Sequence, residues 1–243
     1  VYKRQVWWRY SETLNPNSYT SVIFTWLLII AETYAFIVML LGYFQVCWVL
    51  DRKPASLPKD KERWPSVDIF IPTYNEPLDV VKPTVYAALT VDWPKEKLNV
   101  YILDDGSRKE FKDFACEVGA GYIEREEHKH AKAGNINHAM GITKGDFIAI
   151  FDCDHVPVKT FLQKTMGWFL KDEKIALVQT PHHFYSQDPF EKNLHLKENV
   201  PNENSLFHDF IQKGNDTWNA TMFCGSCAIM RRKALEEVGG IAV

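Results

Sequence analysis

Phe147-Ile148-Ala149-Ile150-Phe151-Asp152-Cys153-Asp154-His155 is an apolar run that stops on two carboxylates one residue apart. Hydrophobic residues in unbroken succession, with no polar alternation, fit a strand buried on both faces, as in a parallel sheet covered by helices. Such sheets present their ligands at the carboxyl ends of the strands. Two aspartates spaced i, i+2 just past that end can jointly hold a hard divalent cation through oxygen. A polar turn after a strand draws on the same residue types, so the neighbouring strand ends decide between the two readings.

Runs at 67–71, 100–103 and 176–178 have the same buried-strand character. Between them, 80–89, 109–118, 136–143 and 161–170 have helical length and one apolar face, which predicts an alternating β/α order and a doubly wound, mostly parallel sheet. The first strand leads into Pro72-Thr73-Tyr74-Asn75-Glu76-Pro77, and the second into Asp104-Asp105-Gly106-Ser107. With Asp152 and Asp154 after the third, successive strand ends carry polar or acidic groups. Acids beside an anionic ligand require a cation between them, unless one binds an uncharged ring. The complementary charge stands in His130-Ala131-Lys132-Ala133-Gly134-Asn135-Ile136-Asn137, where Lys132 precedes a glycine and an expected helix start, within reach of phosphate oxygens. A lone lysine there is more often simply solvated, and spacing does not overturn that. The first strand is not followed by G-x-G-x-x-G, which argues against a dinucleotide-binding dehydrogenase.

Ahead of this pattern the composition changes. In VIFTWLLIIAETYAFIVMLLGYFQVCWVL, from Val22 to Leu50, Glu32 is the one formal charge, and roughly 20 apolar residues suffice to cross a bilayer. A transmembrane helix over 21–50 is expected, preceded over 1–20 by a segment at the membrane interface or the end of an earlier span, where Trp7, Trp8 and Tyr10 lie among Lys3, Arg4 and Arg9. Glu32 could be a functional intramembrane carboxylate or face a neighbouring helix that this chain does not show. The basic cluster Arg52, Lys53, Lys59, Lys61 and Arg63 after the span places the remainder of the chain in the cytoplasm. Residues 51–65, broken by Pro54 and Pro58, read as a linker, and 66–243 as the globular domain. The 243 residues carry a net charge of −3, which gives no footprint for a nucleic-acid partner. The chain begins at Val1 without methionine and reads as an internal piece of a longer protein.

Taken together, Thr-Tyr-Asn-Glu at 73–76, Asp-Asp-Gly at 104–106, His-Ala-Lys-Ala-Gly-Asn at 130–135, Asp-Cys-Asp at 152–154, Gln-Thr-Pro-His at 179–182 and Phe-Cys-Gly-Ser at 223–226 resemble the processive family-two glycosyltransferases, and within them the bacterial cellulose synthases. The resemblance implies a GT-A-type fold. It further implies a uridine pocket lined by Thr73, Tyr74 and Glu76, with Asp104 or Asp105 on the uracil or ribose, Lys132 on the diphosphate and His182 near the donor. Asp152 and Asp154 would hold a divalent metal, magnesium with manganese as the alternative, and Phe223, Cys224, Gly225 and Ser226 would touch the acceptor end of the glucan. The implied reaction is inverting transfer of glucose from UDP-glucose to the 4-hydroxyl of a growing β-1,4-glucan. Chitin, hyaluronan or another β-glucan is the alternative product, and a non-catalytic nucleotide-binding membrane subunit is a further one. The family's base lies in a Thr-Glu-Asp motif followed by Gln-x-x-Arg-Trp; neither occurs in this sequence, so no catalytic base is assigned here and one is expected beyond Val243. For the full-length protein the resemblance implies a multi-pass protein of the bacterial inner membrane, with a periplasmic partner subunit and cyclic-di-GMP regulation.

Cys224 and Cys227 form a C-x-x-C, but no second pair completes a four-cysteine zinc site, and the five cysteines are expected as free thiols. The eight histidines, His128, His130, His182 and His183 among them, show no recognised ligand spacing. Trp168, Phe169, Phe184 and Tyr185 could stack on sugar rings, although core packing is favoured for the two on the helix.

Overall fold

The computed structural model describes residues 2–14, 16–183, 189–194 and 205–243. The chain divides into two compact units, one of Val1–Leu50 with Phe210–Ala220, the other of Asp51–Asp209 with Thr221–Val243.

In the first unit, the end of α1 (Tyr2–Ser11) meets the middle of α2 (Tyr19–Gln45). Ser18 caps α2, its hydroxyl accepting from the Ser21 amide. The 27 residues of α2 are long and apolar enough to cross a membrane, and most of its large side chains are exposed. Glu32 is paired with Arg9 of α1 at 2.5 Å, while Tyr10 and Thr33 share a hydrogen bond. The partner of Glu32 is thus a helix of this same chain, where the alternative expected was a helix outside it.

The second unit is built on a sheet of six strands among the described residues, in the order β3-β2-β1-β4-β6-β5. These are β1 (Val67–Thr73), β2 (Leu98–Asp104), β3 (Gly121–Glu124), β4 (Phe147–Ile150), β5 (Leu177–Gln179) and β6 (Ala228–Arg231). β1 pairs in parallel with β2 and β4, and β2 with β3. β6 runs antiparallel to both β4 and β5. The run at 176–178 is therefore a half-buried edge strand with an antiparallel neighbour, not a further parallel one.

Strand periodicity splits the core into two layers. Val67, Ile69 and Ile71 of β1 face one cluster, with Val81, Val85 and Ala88 of α3 (Leu78–Leu89), Phe111 and Phe114 of α4 (Lys109–Val118), and Leu162, Met166 and Phe169 of α6 (Phe161–Lys171). Phe70 faces the other, with Leu103, Ile148 and Ile150 and with Ile136 and Ala139 of α5 (Ala131–Ile142). Helices thus cover both faces, as the alternating pattern predicts. Among the described residues the second unit also carries short 3-10 turns at Lys61–Arg63 and Lys95–Lys97, α7 (Pro189–Leu194) and α9 (Arg232–Glu237); α8 (Lys213–Thr217), which follows a π-helical turn Leu206–Gln212, belongs to the first unit. The proline-broken stretch at 51–65 has little regular structure but is laid on the domain. Trp64 stacks on Trp93 at 4.5 Å and donates to the Pro58 carbonyl, and a Cβ on Gly167 of α6 would collide with the Ala55 carbonyl.

Candidate active site

The reversal of strand order falls between β1 and β4, which in open α/β sheets marks the carboxyl ends of the flanking strands as the place for a ligand. After β1 the chain turns tightly, with Glu76 accepting from the Thr73 hydroxyl at 2.9 Å and the Tyr74 amide at 2.8 Å. Burial alone would raise the Glu76 carboxyl; those hydrogen bonds and the Arg108 charge outweigh it and leave its pKa lowered. The Tyr74 ring is left exposed.

Asp104 and Asp105 end β2 with different partners. Asp104, fully buried, accepts from Arg108 Nε and Nη2 at 3.0 and 2.8 Å, from the Arg108 amide at 2.7 Å and from the Tyr122 hydroxyl at 3.0 Å. Arg108 also donates to the Glu76 carbonyl and the Thr73 hydroxyl, so it ties the first two strand ends together. Asp105 meets the two-pronged guanidinium of Arg125 at 2.5 and 2.6 Å and lies 3.1 Å from His128 Nδ1. The Arg125 hydrogen bonds hold its carboxyl below the usual range. Arg125 goes on to donate to the Lys129 and Ala131 carbonyls and so shapes the loop that enters α5.

That loop is tight. His130 and Ala131 have φ of 63° and 43°, a left-handed region that non-glycine residues rarely enter. A Cβ on Gly134 would meet the Lys129 carbonyl and stand 2.7 Å from Arg125 Nη1. α5 therefore begins five residues ahead of the apolar pattern that announces it, with Lys132 in its first turn. Lys132 Nζ forms an ion pair with Asp152 and donates to the Gly225 carbonyl at 2.6 Å.

Ser226 organises the rest. It is fully buried, and its hydroxyl accepts from the Asp152 amide at 2.8 Å and lies 2.7 Å from His155 Nδ1. Its carbonyl receives Gln179 Nε2 at 2.9 Å and lies 3.0 Å from His182 Nε2. Gln179 in turn accepts from the Cys224 amide at 3.0 Å. Asp154 is the most open of the acids here, with 65% of its side chain exposed against 36% for Asp152.

The structure thus gathers Lys132, Asp152, Asp154, His182, Cys224, Gly225 and Ser226 around one end of β4. Thr73, Tyr74, Glu76, Asp104 and Asp105 lie along the adjoining strand ends, the two aspartates engaged by Arg108 and Arg125. The Phe223 side chain packs on the second core cluster. Phe169 is core, and Trp168 lies under Arg52 and Lys171; Phe184 and Tyr185 lie outside the described residues. Reading the sequence missed Arg108, Arg125, Tyr122 and His155, although His155 directly follows the carboxylate pair. Cys227, read from the sequence only as half of a C-x-x-C, packs 3.6 Å from His155 Nδ1. Burial pushes the Cys227 thiol up to about 11, so it is a poor thiolate nucleophile. None of the cysteines among the described residues is in a disulfide.

A doubly wound sheet with a lysine, a carboxylate pair and a polar loop at its switch point defines a glycosyltransferase here: the pattern of glycosyl transferase family 2 matches residues 68–239, and the chain belongs to that family. It is 57% identical over 99% of its length to the cellulose synthase catalytic subunit (UDP-forming) of Xanthomonas axonopodis pv. citri. It is 53% identical over 99% to that of Pseudomonas fluorescens and 54% over 98% to the cellulose synthase 1 catalytic subunit of Komagataeibacter xylinus. The chain spans 32 to 33% of the length of these relatives. Among solved structures, a Pyrobaculum calidifontis mannosyltransferase in complex with GDP-Man and Mn2+ shares the fold at 22% identity with a TM-score of 0.56, over 87% of this chain and 57% of its own. S. aureus TarS 1-349 shares it at 14% identity with a TM-score of 0.53, over 71% of this chain and 49% of its own.

Proposed function

We propose that this chain forms the donor-binding part of a membrane-embedded cellulose synthase, which transfers glucose from UDP-glucose to the 4-hydroxyl of a β-1,4-glucan and releases UDP. The observation that carries this reading is the meeting of Lys132, Asp152 and the Gly225 carbonyl between the donor-side strand ends and the Phe223–Ser226 loop. Its support in sequence is the identity above 50% to UDP-forming cellulose synthases.

In this reading Tyr74 stacks on the base, and the turn held by Thr73, Glu76 and Arg108 sets the edge of its pocket. Asp104 and Asp105 contribute by fixing that wall and the loop into α5, which refines their assigned contact with uracil or ribose. The α5 amino terminus and Lys132 face the diphosphate, where positive charge offsets the charge that grows as the glycosidic bond breaks. Asp152 and Asp154 suit a hard divalent cation, magnesium or manganese: both offer carboxylate oxygens at the strand end, and the open Asp154 leaves room for water and phosphate oxygens. Such a cation would neutralise charge on the leaving diphosphate. His182 keeps its place near the donor, and the Cys224–Ser226 backbone borders the acceptor side. The proton of the attacking hydroxyl needs a base, and none of these residues is assigned that role. α2 is proposed as a span of the bacterial inner membrane, with the basic stretch after it placing the second unit in the cytoplasm.

Membranes carrying the full-length protein would be supplied with radiolabelled UDP-glucose or UDP-N-acetylglucosamine. Glucose is expected to enter an insoluble polymer that β-1,4-glucanase degrades, and N-acetylglucosamine is not. Incorporation from the second donor would transfer the reading to a chitin- or hyaluronan-type synthase. No incorporation from either, with UDP still bound, would leave a nucleotide-binding subunit.

A further inference from the structure

The geometry points to a second metal site, of different chemistry, on the acceptor side of the carboxylate pair: His155, His182 and Cys227 together form a site for a borderline-soft divalent cation of the zinc type. One ligand atom from each of the three lies within 4.8 Å of the others. With metal–nitrogen and metal–sulfur distances of about 2.1 and 2.3 Å, tetrahedral ligation places a nitrogen and a sulfur about 3.6 Å apart. Cys227 Sγ and His155 Nδ1 stand at 3.6 Å. The remaining closure is a shift of the His182 side chain by about an ångström, toward distances that the same tetrahedral geometry sets.

The surroundings are those of a ligand set. Metal-bound imidazoles ordinarily donate their second ring N–H to a carboxylate or carbonyl. His155 Nδ1 faces both Cys227 Sγ at 3.6 Å and the Ser226 hydroxyl at 2.7 Å, so ligation needs that hydroxyl to turn away, and its Nε2 lies 4.0 Å from an Asp154 oxygen. His182 Nε2, 3.0 Å from the Ser226 carbonyl, can make the outer bond and leave Nδ1 for the metal. The ring of His182 packs 4.8 Å from that of His155 on one side and 4.8 Å from that of buried His208 on the other. Cys227 is held at φ 52°, a conformation uncommon outside glycine. Its carbonyl accepts from both the Thr180 amide at 3.1 Å and the Thr180 hydroxyl at 2.6 Å, which fixes the turn that aims the thiol. The donor set discriminates as well. Imidazole and thiolate favour zinc over magnesium, whereas the neighbouring aspartates favour hard cations. The residues come from three separate loops, after β4, after β5 and before β6, so no spacing along the sequence announces them.

Three protein ligands leave a fourth position open, and a cation there would tie together the three loops that border the site. Zinc is therefore inferred to lock the site, not to serve the transfer itself; that consequence rests on the proposed glycosyl transfer, while the binding does not.

The test is cobalt(II) titration of the intact, chelator-washed protein in detergent. One equivalent of cobalt is expected to bring up a thiolate-to-cobalt charge-transfer band in the near ultraviolet. Cys227→Ser should abolish that band, His182→Gln should weaken cobalt binding by at least about tenfold, and Cys224→Ser should retain both. Zinc should displace the cobalt and a large excess of magnesium should not. A wild type with no thiolate band, a band that follows Cys224 instead, or one that magnesium removes would overturn the assignment. Circular dichroism melting of each variant separates lost ligation from lost folding. Where polymer synthesis is measurable, low zinc should inhibit the wild type and Cys227→Ser should relieve that inhibition. Inhibition without relief would sink the locking role while the cobalt spectrum still decides the site.

Discussion

Asp105 and Arg125 show how a residue of the right type at a strand end can serve the site from behind. Both side chains are less than a tenth exposed and joined by two short hydrogen bonds, so removing one partner leaves a buried charge uncompensated, at about 3 kcal/mol or more. Asp105→Asn should lower stability by about that amount at neutral pH, read by urea unfolding of the detergent-solubilised chain. The sign with pH is set by the direction of the shift. The folded carboxyl titrates below its usual value, so its contribution is complete above about pH 4 and drains away as pH falls through the lower folded value. The gap between wild type and variant should therefore narrow on acidification below about pH 4, and a gap that stays constant would deny the pairing its role. Gly134 sets two effects against each other. Alanine is the better helix former by about 1 kcal/mol, yet its Cβ would strike the Lys129 carbonyl and crowd Arg125. Backbone cannot yield as a side-chain tip can, so Gly134→Ala should destabilise by about 1–2 kcal/mol on balance. A raised melting temperature would mean that propensity wins.

At the scale of the element, the sequence makes legible what repeats along a strand or helix and hides what depends on distant partners. The apolar runs that became β1, β2 and β4, and the helical periods of α3, α4 and α6, are local signals. β3 and β6 have four residues each and owe their existence to strands elsewhere in the chain, β6 to partners some 80 residues earlier in β4. The same holds for the site. Asp152, Asp154, Lys132 and Ser226 announce themselves by type and motif, but Arg125 acts on Asp105 from 20 residues away, and Arg108 reaches Thr73 and Glu76 only once the first two strand ends are side by side. One element runs against its own propensity: α3 carries Pro83 in its interior, on an exposed face. Proline there withholds the amide that would reach the Asp79 carbonyl. Pro83→Ala should stabilise the chain by about 1 kcal/mol, the gain in the helix being partly offset by a freer unfolded chain. Thermal unfolding followed at the helix band would show it, and a lower midpoint would mean that the ring makes contacts worth more than the missing hydrogen bond.

For the whole of the second unit, the two ends of the sheet have separate tasks. The carboxyl ends of β1, β2 and β4 gather the charged site, while the opposite ends are closed by a buried pair, Asp68 of β1 and Arg232 of α9. Asp68 is fully buried and accepts from Arg232 Nη2 at 2.8 Å, the Gly145 amide at 2.7 Å and Asn99 Nδ2 at 2.9 Å. Arg232 also donates to the Gly145 and Met140 carbonyls and to the Thr143 hydroxyl. One guanidinium thus joins the start of β1, the end of α5, the approach to β4 and the chain after β6, which lies more than 160 positions from Asp68 in sequence. Arg232 is largely buried, and Arg232→Met leaves the buried Asp68 carboxylate without its charge partner, so it should cost about 3–5 kcal/mol. The double variant Asp68→Leu with Arg232→Met removes both charges and should recover part of that loss, because a buried pair is often worth little against apolar packing. UDP affinity, measured on the folded fraction below the melting temperature, should change less than about twofold, since the substitution leaves every group at the carboxyl ends in place; in free energy that is about 0.4 kcal/mol. A large loss of UDP binding at full folding would show that the two ends of the sheet are coupled, and that the framework holding the strands also sets the site.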